Sequence, residues 1–402
     1  MTIPGFNHTS IPSLNRKGMK GLKTPAFVYD EGLLRADSAR VADWARASGC
    51  RVLYSPKANS LHDILGIIAE NVDGFAASSL FEARLINQIA RDGQTVHLTN
   101  PGLRPDEIDA VAAACDYVSL NSLSQWSMYS ASLAGQVNCG LRVNPEMPLV
   151  RDLRYDPCRE NSKLGVPLQH LEEYQNSVPE RLTGISGIHF HTNSEASDFS
   201  GLLATVRHLM DRLGPLFTKI EWINLGGGYL FDTEENMDEF QETVNLLRSR
   251  FGLEIFVEPG TAIVRRSGFL VASVVDVFVS GNKSVAVLDT TVNHWPEVFE
   301  FAFEPDVQGD KEDGIYEYIL AGATCLAGDL FGTYAFNESL DVGSKVVFPN
   351  AGAYSLVKAH FFNGVNLPSV YALTGEGKFM LRKQFTFEDF ARQCGTVEYE
   401  NN

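Results

Sequence analysis

Short apolar runs that end in turn or polar residues recur along the first two thirds of the chain. They are RVLYSP (51–56), GFAASS (74–79), TVHLT (95–99), YVSLN (117–121), GLRVN (140–144), ISGIHFH (185–191), IEWINLGGG (220–228) and EIFVEPG (254–260). The first five return about every 22 residues, the later gaps are longer, and helical-looking stretches such as LFEARLINQIAR and FSGLLATVRHLMDRLG fall between them. Buried strands alternating with amphipathic helices make parallel βα units, and eight such units predict a (β/α)8 barrel. A doubly wound sheet is the alternative on pattern alone.

After about residue 262 the texture changes to β-rich runs separated by turns: FLVASVVDVFVSG, KSVAVLDTT, KVVFPNAGAYS and FMLRKQFTF. Long helical patterns are missing there. The expected organisation is an α/β TIM barrel over residues 31–261 and a β-rich barrel or sandwich built from residues 1–30 and 262–402, with PAFVYD (25–30) contributing to it. The acidic stretch EPDVQGDKEDG (304–314) reads as a surface loop.

Composition narrows the function classes. A chain of 402 residues with 44% hydrophobic and 21% charged residues is an ordinary globular protein. No run approaches the roughly 18 apolar residues of a membrane span, and MTIPGFNHTSIPSLNRKG lacks the apolar core of a signal peptide, so a cytoplasmic protein is expected. The six cysteines form no CxxC pair, which suggests neither a zinc site nor a disulfide framework. A formal net charge of -17 argues against nucleic-acid binding. It would suit a cationic substrate, although solubility explains it equally well.

In a barrel the active site lies at the C-terminal ends of the strands. There the sequence places Lys57, Ser78, Ser79, Asn100, Asn121, Arg142, Asn144, His191, Gly226 to Gly228 and Glu258. Each alone has a bland reading: a solvated lysine after Pro56, a structural histidine, a flexible glycine turn. Together they line one rim. A lysine there can be an amine nucleophile that forms a Schiff base with a carbonyl or with pyridoxal phosphate. Glycines after the seventh strand can bring backbone N–H groups to a phosphate. A phosphorylated cofactor that needs an amine meets both requirements, and pyridoxal phosphate fits, with Glu258 pairing its pyridinium nitrogen.

The ordered set YSPKANS, SSLFE, LRVN, SKLG (162–165), HFHTNSE, NLGGG, EPG, CLAGD (325–329) and GAYS (352–355) resembles the pyridoxal-phosphate-dependent decarboxylases of the alanine-racemase-like fold (fold type III). That family includes ornithine, diaminopimelate and carboxynorspermidine decarboxylases. The resemblance implies that Lys57 carries the cofactor, His191 stacks on its ring, and Ser194, Gly226, Gly227, Gly228 and Tyr354 hold its phosphate. Arg142 would lie near the ring hydroxyl. It further implies a homodimer with shared active sites, in which Cys325 reaches into the partner's site as the proton donor and Asp329 helps bind the substrate's distal amine.

Departures from the family narrow the substrate. Diaminopimelate decarboxylases place an acidic residue after the cysteine and an arginine after EPG, where this chain has Leu326 and Thr261. Ornithine decarboxylases also have an aspartate at the position of Leu326. CLAGD, SSLFEARL, HFHT, FFNG (361–364) and HWPEVFEF (294–301) are most similar to carboxynorspermidine decarboxylase. Asn193-Ser194-Glu195 replaces its Leu-Cys-Glu, and His294-Trp295-Pro296-Glu297 replaces its His-Met-Pro-Asp; Glu297 would then face the substrate. The expected activity is α-decarboxylation of a carboxylated polyamine or basic amino acid, in polyamine biosynthesis. A racemase is disfavoured by Glu258, since racemases commonly place arginine at the pyridine nitrogen. A noncatalytic cofactor carrier is disfavoured by the second domain.

Overall fold

A computed structural model describes residues 12–15, 19, 21–231 and 237–395. Most of the N-terminal stretch read for a signal peptide lies outside these residues. Two compact units divide the chain at 34/35 and 263/264, against the expected 31 and 261.

The unit Arg35–Ile263 is a closed barrel. Its neighbourhood in the chain opens with strand β1 (Ala26–Asp30), which belongs to the other unit, and helix α1 (Glu31–Ser48). Then follow β2 (Arg51–Tyr54), β3 (Gly74–Ala77), β4 (Thr95–Thr99), β5 (Tyr117–Leu120), β6 (Asn138–Asn144), β7 (Val166–Pro167), β8 (Gly187–His189), β9 (Trp222–Asn224) and β10 (Glu254–Val257). The helices between them are α2 (His62–Ile68), α3 (Leu80–Ile86), α4 (Ile108–Ala114), α5 (Leu123–Leu133), α6 (Leu168–Ser177), α7 (Ser200–Phe217) and α8 (Met237–Phe251). Parallel pairing runs β2–β3–β4–β5–β6–β8–β9–β10 and back to β2, so all eight expected runs form the ring. The two-residue β7 pairs with β6 outside it.

Strand-to-helix turns are made by the sequence itself. Ser79 caps α3 by accepting from the Glu82 N–H, while Glu82 reaches back to the Ser78 N–H at 2.6 Å. The same device recurs at α5, with Ser122 accepting from Gln125 N–H and Gln125 reaching the Asn121 N–H at 2.7 Å.

Toward the N-terminal ends the barrel is plugged. Trp222 packs with Leu53, Ala76 and Phe256, and His97 stacks on Tyr117 at 4.0 Å. Room for the indole exists because its neighbours on β6 and β8 are glycines: a Cβ on Gly187 would lie 2.0 Å from the Trp222 ring, and one on Gly140 2.7 Å. Arg51 and Tyr117 bond Glu254 across this end, at 2.7 and 3.2 Å. With that end filled, the open space lies at the C-terminal ends of the strands.

The other unit holds β1, helix α9 (Thr261–Val264) at its boundary, β11 (Gly268–Ser280), β12 (Lys283–Leu288), α10 (Glu297–Phe301), β13 (Tyr316–Ala321), β14 (Leu330–Phe336), β15 (Lys345–Phe348), β16 (Ser369–Leu373), β17 (Phe379–Lys383) and α11 (Phe387–Gln393). They form one mixed sheet in the order β14-β13-β12-β11-β1-β16-β17, with β15 also on β11. PAFVYD thus supplies an interior strand, antiparallel to β11 and parallel to β16. The stretch 304–314 is a loop, anchored by the buried Pro305 and Val307.

Candidate active site

Lys57 stands on a braced turn. After β2, the Ser55 N–H donates to Pro259 O, the Ala58 N–H returns to Ser55 O, and the buried Tyr54 hydroxyl donates to Asn59 O. The Lys57 side chain is exposed to a cavity of about 390 Å³ ringed by Ser55, Arg142, His189, His191 and Glu258. It makes no hydrogen bond or ion pair with any described residue. Although its amine meets open space, the encircling walls remove much of its hydration. That desolvation holds the ammonium below the ordinary lysine range, opposed by Glu258 and assisted by Arg142. A partnerless amine with a lowered pKa on a fixed perch is what a Schiff-base lysine requires.

Glu258, just past β10, is buried and accepts from the Asn224 amide at 2.7 Å. Its other oxygen lies 3.7 Å from His189 Nε2, a buried atom with no hydrogen-bond partner. Burial raises the Glu258 pKa, with Lys57, Asn224 and Arg142 opposing. The carboxyl therefore holds a proton readily or pairs strongly with an incoming cation. Arg142, near the end of β6, also lines the cavity and has no hydrogen-bonded or ion-paired partner among the described residues.

The three glycines have a different first role from the expected one. A Cβ on Gly226, Gly227 or Gly228 would fall 2.3, 2.2 and 2.0 Å from the carbonyl oxygens of Phe190, Glu258 and Asn193. The glycines let the loops after β8, β9 and β10 nest together. Gly226 and Gly228 also take φ of +70° and +89°, favoured by glycine. Two of their N–H groups are already used, Gly226 on Asn224 Oδ1 and Gly227 on His191 Nδ1 at 3.1 Å. The second bond sets the neutral His191 ring with its proton on Nε2. Burial, with Lys57 and Arg142 nearby, keeps that imidazole well below its ordinary pKa, hence neutral. Asn193 and the exposed Ser194 form part of the cavity wall; the glycines do not.

In the β-rich unit Cys325 is exposed, and its N–H donates to Asn363 Oδ1 at 2.9 Å. Tyr354 has φ of +53°, a left-handed conformation uncommon for a tyrosine. Glu297 lies 3.7 Å from the Lys358 ammonium. Asp329, expected to bind the substrate's distal amine, is 2% exposed. Its oxygens accept from the Val292 N–H at 2.8 Å, the Thr324 N–H at 3.0 Å and the Thr324 hydroxyl at 2.5 Å. The carboxylate is thus spent on tying the Cys325 loop to the segment after β12.

His189, Asn224 and Asp156 belong to this picture and were not among the expected site residues. His189 lies two residues before His191 in the same run, and period-two spacing along a strand was the signal for it. Asn224 ends β9 just ahead of the glycines.

A free amine, a buried carboxyl and an unpaired guanidinium in one cavity fit pyridoxal phosphate. The sequence profile described as "Pyridoxal-dependent decarboxylase, pyridoxal binding domain" matches residues 36–265. The chain belongs to the pyridoxal-dependent decarboxylases. It is a carboxy-lyase whose cofactor is pyridoxal 5'-phosphate. Carboxyaminopropylagmatine decarboxylase of Synechocystis sp. is 33% identical over 95% of this chain and 98% of the relative. Carboxynorspermidine/carboxyspermidine decarboxylase of Campylobacter jejuni is 29% identical over 92% and 98%. The crystal structure of carboxynorspermidine decarboxylase complexed with norspermidine, from Campylobacter jejuni, superposes with a TM-score of 0.84 at 27% identity, covering 92% of this chain and all of that one. The barrel plus β-domain architecture of the family is the one expected from the apolar pattern.

Proposed function

We propose that this decarboxylase removes the α-carboxylate of a carboxylated polyamine, carboxynorspermidine or carboxyspermidine. The observation that carries the reading is Lys57, a partnerless amine on a braced turn in one cavity with Glu258, His191 and Arg142. Relatives with these names span nearly the whole chain, and Leu326 and Thr261 remove the acidic and arginine residues that diaminopimelate enzymes carry there. A second reading, carboxyaminopropylagmatine, is favoured by the relative at 33% identity. It differs only at the far end, a guanidinium in place of a primary ammonium.

When bound, pyridoxal phosphate supplies the electron sink for the pair left on the α-carbon as CO2 departs. Lys57 would hold the cofactor through its side-chain amine. Glu258, whose pKa burial raises, would pair with the cofactor nitrogen and hold a proton there. His191, fixed by the Gly227 amide, offers a neutral flat ring, and Arg142 offers its guanidinium to an anionic oxygen. Ser194 and Tyr354 would hold the phosphate, joined from the glycine run by the Gly228 N–H, since those of Gly226 and Gly227 are already bonded. Cys325 of a second subunit donates the proton that replaces CO2, which makes the working form a homodimer, placed in the cytoplasm. Glu297 and the Asp329-braced loop shape the substrate's far end.

The test is CO2 release from carboxynorspermidine, carboxyspermidine, carboxyaminopropylagmatine, diaminopimelate, ornithine and lysine by wild type and Lys57→Ala. Wild type should prefer a carboxylated polyamine, and Lys57→Ala should lose both turnover and the cofactor's bound absorbance. Preference for diaminopimelate or ornithine would overturn the substrate; an unaltered Lys57→Ala enzyme would overturn the assignment of the amine.

A further inference from the structure

The segment 145–165, between β6 and β7, has no regular secondary structure, yet it forms much of the cavity wall. It is held in place from within. Cys158 Sγ lies 3.6 Å from His191 O, the Ser162 hydroxyl donates to Pro157 O at 2.7 Å, and Asn121 bonds the following Gly165 N–H at 2.9 Å. These bonds fix Asp156, which lines the cavity and is 3% exposed. One of its oxygens accepts from the Cys158 N–H at 2.8 Å. The other, Oδ2, is buried with no hydrogen-bond partner, and no described lysine, arginine or histidine is within ion-pair distance.

A carboxylate oxygen stripped of water and left unpaired is costly, so its partner should come from outside the chain. The cavity's other carboxylate, Glu258, is already bonded to Asn224 and suited to the cofactor nitrogen. A phosphate or the substrate's own carboxylate would be repelled by Asp156. Arg154, also in the wall, is bonded to Asp152 at 2.7 Å and leaves Asp156 unneutralised. A cation that arrives with the substrate would satisfy this oxygen.

We infer that Asp156 is a subsite for a protonated amine of the substrate beyond its amino-acid head. The inference deepens the polyamine reading above and rests on it. A substrate with such an amine gains a charge-assisted bond in a desiccated wall; an amino acid without one meets an unpaired carboxylate. Selection for amine-bearing substrates therefore has a component in the barrel unit itself.

The experiment uses the holoenzyme and Asp156→Asn, which keeps an oxygen for the Cys158 N–H and so preserves the segment. Two probes are used as inhibitors: norspermidine, which carries amines alone, and 2-aminobutyrate, which carries the amino-acid head alone. Asp156→Asn should retain cofactor absorbance and keep kcat within about threefold. KM for the accepted substrate and the inhibition constant of norspermidine should rise about 10- to 100-fold, while that of 2-aminobutyrate stays within about twofold. Asp156→Glu, which keeps the charge, should recover part of the loss and provides the readout if the asparagine variant folds poorly. Unchanged KM and norspermidine binding would mean that water alone satisfies the oxygen and would overturn the subsite. Loss of cofactor, or equal weakening of both probes, would overturn it as well. If wild type instead accepts ornithine or lysine, the polyamine reading fails, and the ratio of variant to wild type on that substrate still decides the subsite.

Discussion

Acid should weaken the β-rich unit through His294. Its imidazole is 2% exposed, with Nδ1 2.9 Å from the Thr290 hydroxyl. Burial, aided by His360, lowers its pKa to about 3, against about 6.5 in an unfolded chain. A base whose folded pKa is depressed binds its proton first in the unfolded state. Stability is therefore intact above about pH 6.5 and is lost as pH falls from there toward 3, by up to about 1.4 kcal/mol per pH unit. At pH 5.5 roughly ten in eleven unfolded chains carry the proton and almost no folded ones do, a loss of about 1.4 kcal/mol relative to pH 7.5. For a unit of this size that lowers the midpoint of unfolding by roughly 3–6 °C.

Other groups titrate in the same window, so the measurement is a difference. His97, His189 and His191 are also held well below their ordinary pKa by burial and act in the same direction. Glu258, its pKa raised, acts in the opposite one and gains stability as pH falls. Thermal unfolding of the holoenzyme at pH 7.5 and 5.5, for wild type and His294→Gln, leaves these contributions common to both. The drop between the two pH values should be smaller in His294→Gln by roughly 3–6 °C. Equal drops would show that His294 takes up its proton inside the fold, and the reasoning from burial would fail.

Trp222→Ala should cost about 4–5 kcal/mol of barrel stability by denaturant titration, the upper part of the range for aromatic truncation, because Gly140 and Gly187 have no side chains to collapse into the hole; a loss under about 2 kcal/mol would mean the barrel end is not closed by this ring. Mixing inactive Lys57→Ala and Cys325→Ala subunits should restore roughly a quarter of wild-type activity, since half the dimers are mixed and each has one intact site. Demonstrated subunit exchange without recovery would show that each chain completes its own site.

The barrel was legible because parallel strands covered on both faces are nearly continuous apolar runs, as in the fully buried GFAA of β3. In the β-rich unit the apolar runs leave out β13, β14 and β16. β13 and β14 are half exposed, and Glu317 and Gly332 interrupt their apolar positions, whereas the buried β16 is only five residues, SVYAL. The strand-end residues could be placed together for a geometric reason, since a barrel brings every strand end to one rim. Asp156 could not be, because a segment without a period offers no face on which to place it. Asp329 shows a further limit: spacing from Cys325 puts it on the same loop, but does not reveal that its oxygens accept from the Val292 and Thr324 N–H groups.

Charge makes the same point about position. The chain carries a formal -17, yet its cavity is lined by Lys57, Arg142, Arg154, Arg159 and Lys163 against Asp156 and Glu258. A phosphate and a carboxylate must both be drawn in, and cations at the rim serve both. The same cations act on Lys57. Burial lowers the Lys57 pKa, and Arg142, by disfavouring a second positive charge nearby, lowers it further. Two of the seven groups, Asp156 and Glu258, reverse the sign locally. Net charge describes the outer surface, whereas the chemistry depends on which few charges the strand ends and the 145–165 segment turn inward.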